Sequence, residues 1–207
     1  DSITVSQLNT LAARTTGVIT ASISTTDATT LATLSETGHA LTITCATAKV
    51  TSAQLTTINN ATTVDVTASA VTQITGTASA INTAYSSGFT GLGNETVVLT
   101  DTSVAASDLN TLDGNTSGAV NASSVTTVTG TLSVANTAYA SSGISGLGNE
   151  AVTVSDSGSV TAANLNTLDA ATSGTVTASS VTTVTGTLSA ANTAYASSGI
   201  SGLGNEA

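Results

Sequence analysis

Apolar and polar residues alternate in seven short stretches of the chain: GVITAS, LTITCA, TVDVTAS, TVVLT, GAVNAS, AVTVS and GTVTAS. Alternation with period two and β-branched content predicts a strand in each. One face carries Ile19/Ala21, Ile43/Cys45, Val66/Ala68, Val97/Leu99, Val120/Ala122, Val152/Val154 and Val176/Ala178, all apolar and small. The other face carries Val18/Thr20, Thr42/Thr44, Asp65/Thr67, Val98/Thr100, Ala119/Asn121, Thr153/Ser155 and Thr175/Thr177, mostly polar. Matching faces predict one parallel ladder with one strand per coil. Anchored at Ile19, Ile43, Val66, Leu99, Val120, Val154 and Val176, the stretches are spaced by 24, 23, 33, 21, 34 and 22 residues. Short and long coils therefore alternate from Ile43 onward.

A second signature is Leu-x-Thr-Leu, at Leu8–Leu11, Leu31–Leu34, Leu55–Ile58, Leu109–Leu112 and Leu165–Leu168. These segments read as short helices. Thr4 with Gln7, and Thr51 with Gln54, form capping boxes, and Ile3 and Val50 stand where a hydrophobic staple belongs. In the long coils Val181, Val184, Leu188, Ala191 and Tyr195 follow steps of three and four, a helical spacing whose start is blurred by β-branched residues. Glycine-rich SGISGLGN then leads the chain into the next strand.

The chain repeats itself. Asn-Glu recurs at Asn94-Glu95, Asn149-Glu150 and Asn205-Glu206, Tyr at 85, 139 and 195, and SSVTTVTGTLS stands at 123–133 and again at 179–189. A fixed period of 20–50 residues or somewhat more marks a solenoid or array. The expectation is an α/β solenoid of stacked strand–helix coils, about eight of them, with an all-β solenoid as the alternative. It forms a single repeat domain over 1–207, with periods at 1–40, 41–94, 95–149 and 150–205 and an array continuing beyond 207. Strands stack at ~4.8 Å and helices need ~8–10 Å, so the stack either curves or staggers its helices.

Composition fits this. Aromatics are 2% of 207 residues and proline is absent, so no core of large side chains is available. Regular stacking of thin layers buries small residues instead. Two basic residues, Arg14 and Lys49, face twelve acidic ones, for a net charge of −10. That excludes nucleic acid and an anionic membrane surface as partners. No apolar run approaches a membrane span.

Little in the chain suggests catalysis. Cys45 takes the inward position that alanine fills in other coils, and reads as a buried small residue. His39 precedes a strand and reads as a surface turn residue. GLGNEA, at Gly146 and at Gly202, matches a loose dinucleotide pattern. It precedes a strand where that fingerprint follows one, so it reads as a turn using glycine at positive φ. The turn carboxylates Glu95, Asp101, Glu150 and Asp156 are the candidate calcium ligands; equivalent copies lie two coils apart, too far to share one ion. Asn60, Asn94, Asn115 and Asn121 head Asn-x-Ser/Thr triplets, expected by chance in so Thr- and Ser-rich a chain.

SISTTDATTLATLSETGHALTIT, VTSAQLTTINNATTVDVTAS and VTTVTGTLSAANTAYASSGISGLGNEAVTVSD together resemble the Thr/Ala/Asp-rich tandem arrays of very long secreted surface proteins of marine bacteria, cyanobacteria in particular. The resemblance implies an extracellular, non-catalytic stalk in an adhesin, sheath or filament. The glycine-rich calcium nonapeptide of some such arrays is absent. The functional expectation is thus a structural repeat segment that associates with itself end to end or as part of a longer array, with cell-surface glycans as further partners. The alternative is a binding surface for ice, glycan or mineral built from outward Thr rows such as Thr42/Thr44 and Thr175/Thr177.

Overall fold

The computed structural model describes residues 1–204. Glu206, the third copy of the repeated glutamate, lies outside the described residues. The protein is α/β. Its helices are α1 (Val5–Ala12), α2 (Ala28–Leu31), α3 (Ser52–Ala61), α4 (Ala78–Tyr85), α5 (Ala106–Asn115), α6 (Leu132–Ala140), α7 (Ala162–Ala171) and α8 (Leu188–Ala196). Threonine starts most of them: Thr4, Thr51, Thr77, Thr131, Thr161 and Thr187 each accept a backbone N–H of the first turn. Both expected capping boxes form.

The chain divides into two compact units, Asp1–Val98 with Asn115–Gly118, and Leu99–Gly114 with the chain from Ala119 onward. In the first, a ladder runs through strands Ser2–Ile3, Thr20–Ile23 and Ala40–Thr42. A bridge between Thr44 and Thr67 carries it to Val66–Thr67, which pairs with Phe89–Thr90. Beside it Lys49–Thr51 pairs with Gln73–Gly76, and Thr96 N–H continues to the Thr72 carbonyl. In the second, one five-stranded sheet orders Ser103–Ala105, Thr127–Gly130, Ala151–Val154, Val176–Thr177 and Ile200–Ser201. Val120–Asn121 pairs with Ile144–Ser145, and Ser159–Thr161 with Thr183–Thr185. Every described pairing in both units is parallel.

The register corrects two expectations. The seven anchor strands do not form one ladder: Val66 lies against Phe89, Val120 against Ile144, and Val152 against Val128 and Val176. Nor do long and short coils alternate. Val104, Val128, Val152, Val176 and Ile200 are matched in turn, a step of 24 residues; at the N-terminus Ser2, Ser22 and Thr42 are matched at steps of 20. The apparent long coils arose because strands that lie between the anchors, such as Phe89–Thr90, Thr127–Gly130 and Ile144–Ser145, do not carry the anchors' apolar alternation. Their partners were therefore skipped. The in-and-out assignment holds: Ile43, Cys45, Val66, Ala68, Val97, Leu99, Val120, Ala122, Val152, Val154, Val176 and Ala178 are all buried, and Ile19 and Ala21 half-buried.

Leu-x-Thr-Leu folds as expected in α1, α3, α5 and α7, with Leu8, Leu55, Ile58, Leu109, Leu112, Leu165 and Leu168 buried. At Leu31–Leu34 only the four-residue α2 forms. The x position has work of its own: Asn9, Asn110 and Asn166 donate across to the carbonyls of Thr33, Val134 and Ala190 in the next coil. The last helix starts later than the spacing suggested. Thr187 caps α8 at Leu188, and Val184 belongs to a strand ending at Thr185, with Gly186 turning the chain at φ 137°. β-branched Val-Thr-Thr-Val-Thr prefers the strand. His39 is another correction. It is buried, bridged to Thr62, and its Nδ1 accepts the Ile19 N–H, because the ladder reaches back to include it.

Stability rests on small layers, each dominated by one or two leucines. Leu165→Ala is expected to cost about 2–5 kcal/mol, read from urea unfolding followed by circular dichroism. Leu11→Ala, at a half-exposed position, should cost less than about 1 kcal/mol on the same scale.

Candidate functional site

The most distinctive polar cluster is built twice. In the first unit Gly91 and Gly93 take φ of 88° and 130°, so the turn folds the Glu95 side chain back over itself. Glu95 is fully buried. Gly93 N–H lies 2.8 Å from Oε2 and 3.1 Å from Oε1. The Tyr85 hydroxyl donates to Oε2 at 2.9 Å. From the neighbouring coil the Thr116 hydroxyl donates to the Glu95 carbonyl at 2.7 Å. Gly118 packs so tightly on the Glu95 peptide that a Cβ there would strike it.

The second unit repeats the arrangement. Gly146 and Gly148 take φ of 84° and 134°. Buried Glu150 accepts from Tyr139 OH (2.9 Å), Gly148 N–H (2.8 Å) and Asn149 N–H (3.2 Å), all at Oε2. Its Oε1 meets no donor among the described residues. Thr172 OH donates to its carbonyl at 2.7 Å, and Gly174 takes the place of Gly118. Burial, and then the adjacent carboxylate, push the Tyr139 hydroxyl well above the ordinary tyrosine range; burial first, with Glu95 reinforcing it, does the same for Tyr85.

Such a cluster fastens a turn. A buried carboxylate is costly unless hydrogen-bonded, and here two kinds of donor from one loop and one helix converge on it. Tyr and Asn-Glu were each visible as repeats, at nearly the same period. Their pairing depends on the helix ending where it does and was not visible.

The four calcium candidates are not gathered. Glu95 and Glu150 face inward onto their own turns. Asp156 accepts the Leu132 N–H at 2.6 Å, capping the start of α6. Asp101 is half-buried. Among the described residues no group of three or more His, Cys, Asp or Glu is placed to hold a metal ion. The other repeated acids, Asp113 and Asp169, each accept a serine hydroxyl at 2.7 Å, from Ser141 and Ser197. Shallow polar grooves line the same two places, one with Asp113, Ser133, Asn136 and Ser141, the other with Asp169, Ser189, Asn192 and Ser197. Cys45 is fully buried as expected, and burial raises its thiol above the ordinary value, away from the reactive thiolate. Both glycines of the Gly-Leu-Gly stretch take positive φ in all three copies, Gly202 and Gly204 included.

No protein-family model, curated protein or solved structure matches the chain.

Removing the fastening hydroxyl by Tyr139→Phe should cost about 1–3 kcal/mol, since the buried carboxylate loses a donor. The tyrosines also set an alkaline limit. The folded state keeps the hydroxyl proton while the unfolded chain releases it near pH 10, so the stabilisation is complete below about pH 10 and is lost as pH rises beyond it. Urea midpoints measured from pH 8 to 11.5 should fall steeply above pH 10 for the parent chain and less steeply for Tyr85→Phe/Tyr139→Phe. Equal slopes would remove the tyrosines as the cause.

Proposed function

We propose that the chain is a non-catalytic structural repeat segment of an extracellular filament, sheath or large adhesin. The observation that carries this is the ladder order. One complete ladder follows a set order: two strands that lead into helices, one lone strand, then two strands that leave helices. Strands Ser103–Ala105, Thr127–Gly130, Ala151–Val154, Val176–Thr177 and Ile200–Ser201 give it in the second unit. In the first, strands Ser2–Ile3, Thr20–Ile23, Ala40–Thr42, Val66–Thr67 and Phe89–Thr90 give a shortened version, in which Thr20–Ile23 and Ala40–Thr42 come directly after α1 and α2.

This order follows if the chain winds as a three-sided solenoid. One repeat holds seven segments of about eight residues, and a 24-residue turn holds three, so a repeat winds about two and a third turns. Each repeat then advances the pattern by one side. Ladder hydrogen bonds run along the axis, and stability is spread over many small layers, which suits a mechanical element. The acidic surface keeps such material soluble and away from nucleic acid. No helix among the described residues is long and apolar enough to cross a membrane. Three of the calcium candidates, Glu95, Glu150 and Asp156, have hydrogen-bonding roles that suit a scaffold.

Electron microscopy and fibre diffraction of the native material test this. The expected result is filaments or rods with a ~4.8 Å layer spacing and a meridional feature near 11 Å from two and a third turns per repeat. Isolated compact particles without either spacing would overturn the filament reading.

A second reading, a binding surface, is favoured by one observation. The register of the five-stranded sheet lines up Ala105, Thr129, Thr153, Thr177 and Ser201 in one outward row, beside Ser103, Thr127 and Ala151. If this row binds ice or glycan, Thr153→Lys should abolish thermal hysteresis or retention on a glycan array. Absence of both activities in the parent chain removes the reading.

A further inference from the structure

We propose that Asn94 is a glycan attachment site, which takes an N-linked sugar chain while the other Asn-x-Ser/Thr triplets stay bare. The inference rests on the extracellular reading above, because such acceptors belong to surface loops of secreted chains. Chance accounts for the triplets at Asn60, Asn94, Asn115 and Asn121. The fold treats them differently and leaves one of them free at both ends.

At Asn60 the third residue is spent. Thr62 is buried, and its hydroxyl donates to the Leu41 carbonyl at 2.7 Å while accepting the Leu41 N–H at 3.0 Å. At Asn115 both ends are engaged. Its Nδ2 donates to Asn82 Oδ1 at 3.2 Å, and the Ser117 hydroxyl donates to the Gly93 carbonyl at 3.3 Å. Asn121 is half-buried in strand Val120–Asn121, in register with Ser145, and its Oδ1 accepts the Ser123 N–H at 3.0 Å. Strands ~4.8 Å apart leave little width for a sugar there.

Asn94 differs on each count. It is exposed, and Thr96 is half-buried. Among the described residues neither the Asn94 amide nor the Thr96 hydroxyl meets a hydrogen-bond partner. The turn that carries Asn94 is fixed from both sides: the Glu95 carboxylate accepts the Gly93 N–H, and the Gly93 carbonyl accepts from Ser117. Glu95 is drawn inward and Asn94 stays outside, so a sugar on its amide breaks no contact of the fold. In the transfer the amide nitrogen displaces the diphosphate leaving group from the anomeric carbon of a diphosphate-linked sugar donor. One C–N bond forms, one C–O bond breaks, the amide gives up one proton, and nothing is oxidised or reduced. The second copy of the turn is an internal control. Asn149 is exposed in the same setting, before buried Glu150, but Ala151 stands where the first copy has Thr96.

The test digests the native material with elastase and sequences the asparagine-bearing peptides by mass spectrometry. The expected result is sugar on Asn94 and none on Asn60, Asn115 or Asn121. In the full chain secreted from yeast, Asn94→Gln and Thr96→Ala should each abolish the sugar, and Ala151→Thr should add a second one at Asn149. Circular dichroism checks that each variant keeps its fold. An unmodified Asn94 in the native material overturns the proposal, and so does equal occupancy at the other triplets. Microscopy of the same material reports on the filament independently, so filaments with a bare Asn94 remove the attachment site and leave the structural reading standing.

Discussion

Strands stack at ~4.8 Å, while packed helices need ~8–10 Å between axes. A coil containing both cannot place its helix on the same side in every turn without bending the ladder sharply. The rest of the molecule answers this mismatch. Each described five-strand run is free of helices, and the lone strand, Ala40–Thr42 in one unit and Ala151–Val154 in the other, shifts the pattern between repeats. The helices themselves are thin where they meet neighbours, with Ala106, Ala135, Ala138, Ala162 and Ala194 buried.

The same demand explains the polar chemistry. A turn that delivers the chain into a strand, at Thr96 after Glu95 and at Ala151 after Glu150, has to be held at a fixed height relative to the coil beside it. The buried Glu95 and Glu150 do so from both ends of one residue: the side chain gathers its own turn's N–H and a tyrosine from the preceding helix, and the carbonyl takes a threonine hydroxyl from the next coil. Gly118 and Gly174 are glycines because that coil passes against the glutamate peptide with no room for a Cβ. Asp156, at the far end of the same strand, caps the helix of the adjacent coil. Glu95, Glu150 and Asp156 thus act as joints between layers.

Much of this was legible beforehand. The buried face of each anchor strand, the helices at Leu-x-Thr-Leu, the Thr4 and Thr51 capping boxes and the glycine turns all follow from local rules: period two, period 3.6, a threonine oxygen over free N–H groups, and positive φ. Burial of Cys45 followed from the alanines at equivalent positions. His39 was misplaced because a turn-like context said nothing of the Ile19 N–H waiting across the coil. The start of α8 was misplaced because Val181 and Val184 fit a helical spacing by chance, and β-branched preference prevailed.

The sequence by itself determined the elements, their caps and turns, and the existence of a repeat near 55 residues. Only the tertiary structure decided which strand lies over which. All the strands present a similar small apolar face, so a period-two pattern is satisfied by any pairing of them. The choice shows in the ladder register, which matches residues 20 apart at the N-terminus and 24 apart in the second unit. That is a property of the stacked layers, and it also converted Tyr139 and Glu150 from two separate periodic residues into one buried contact.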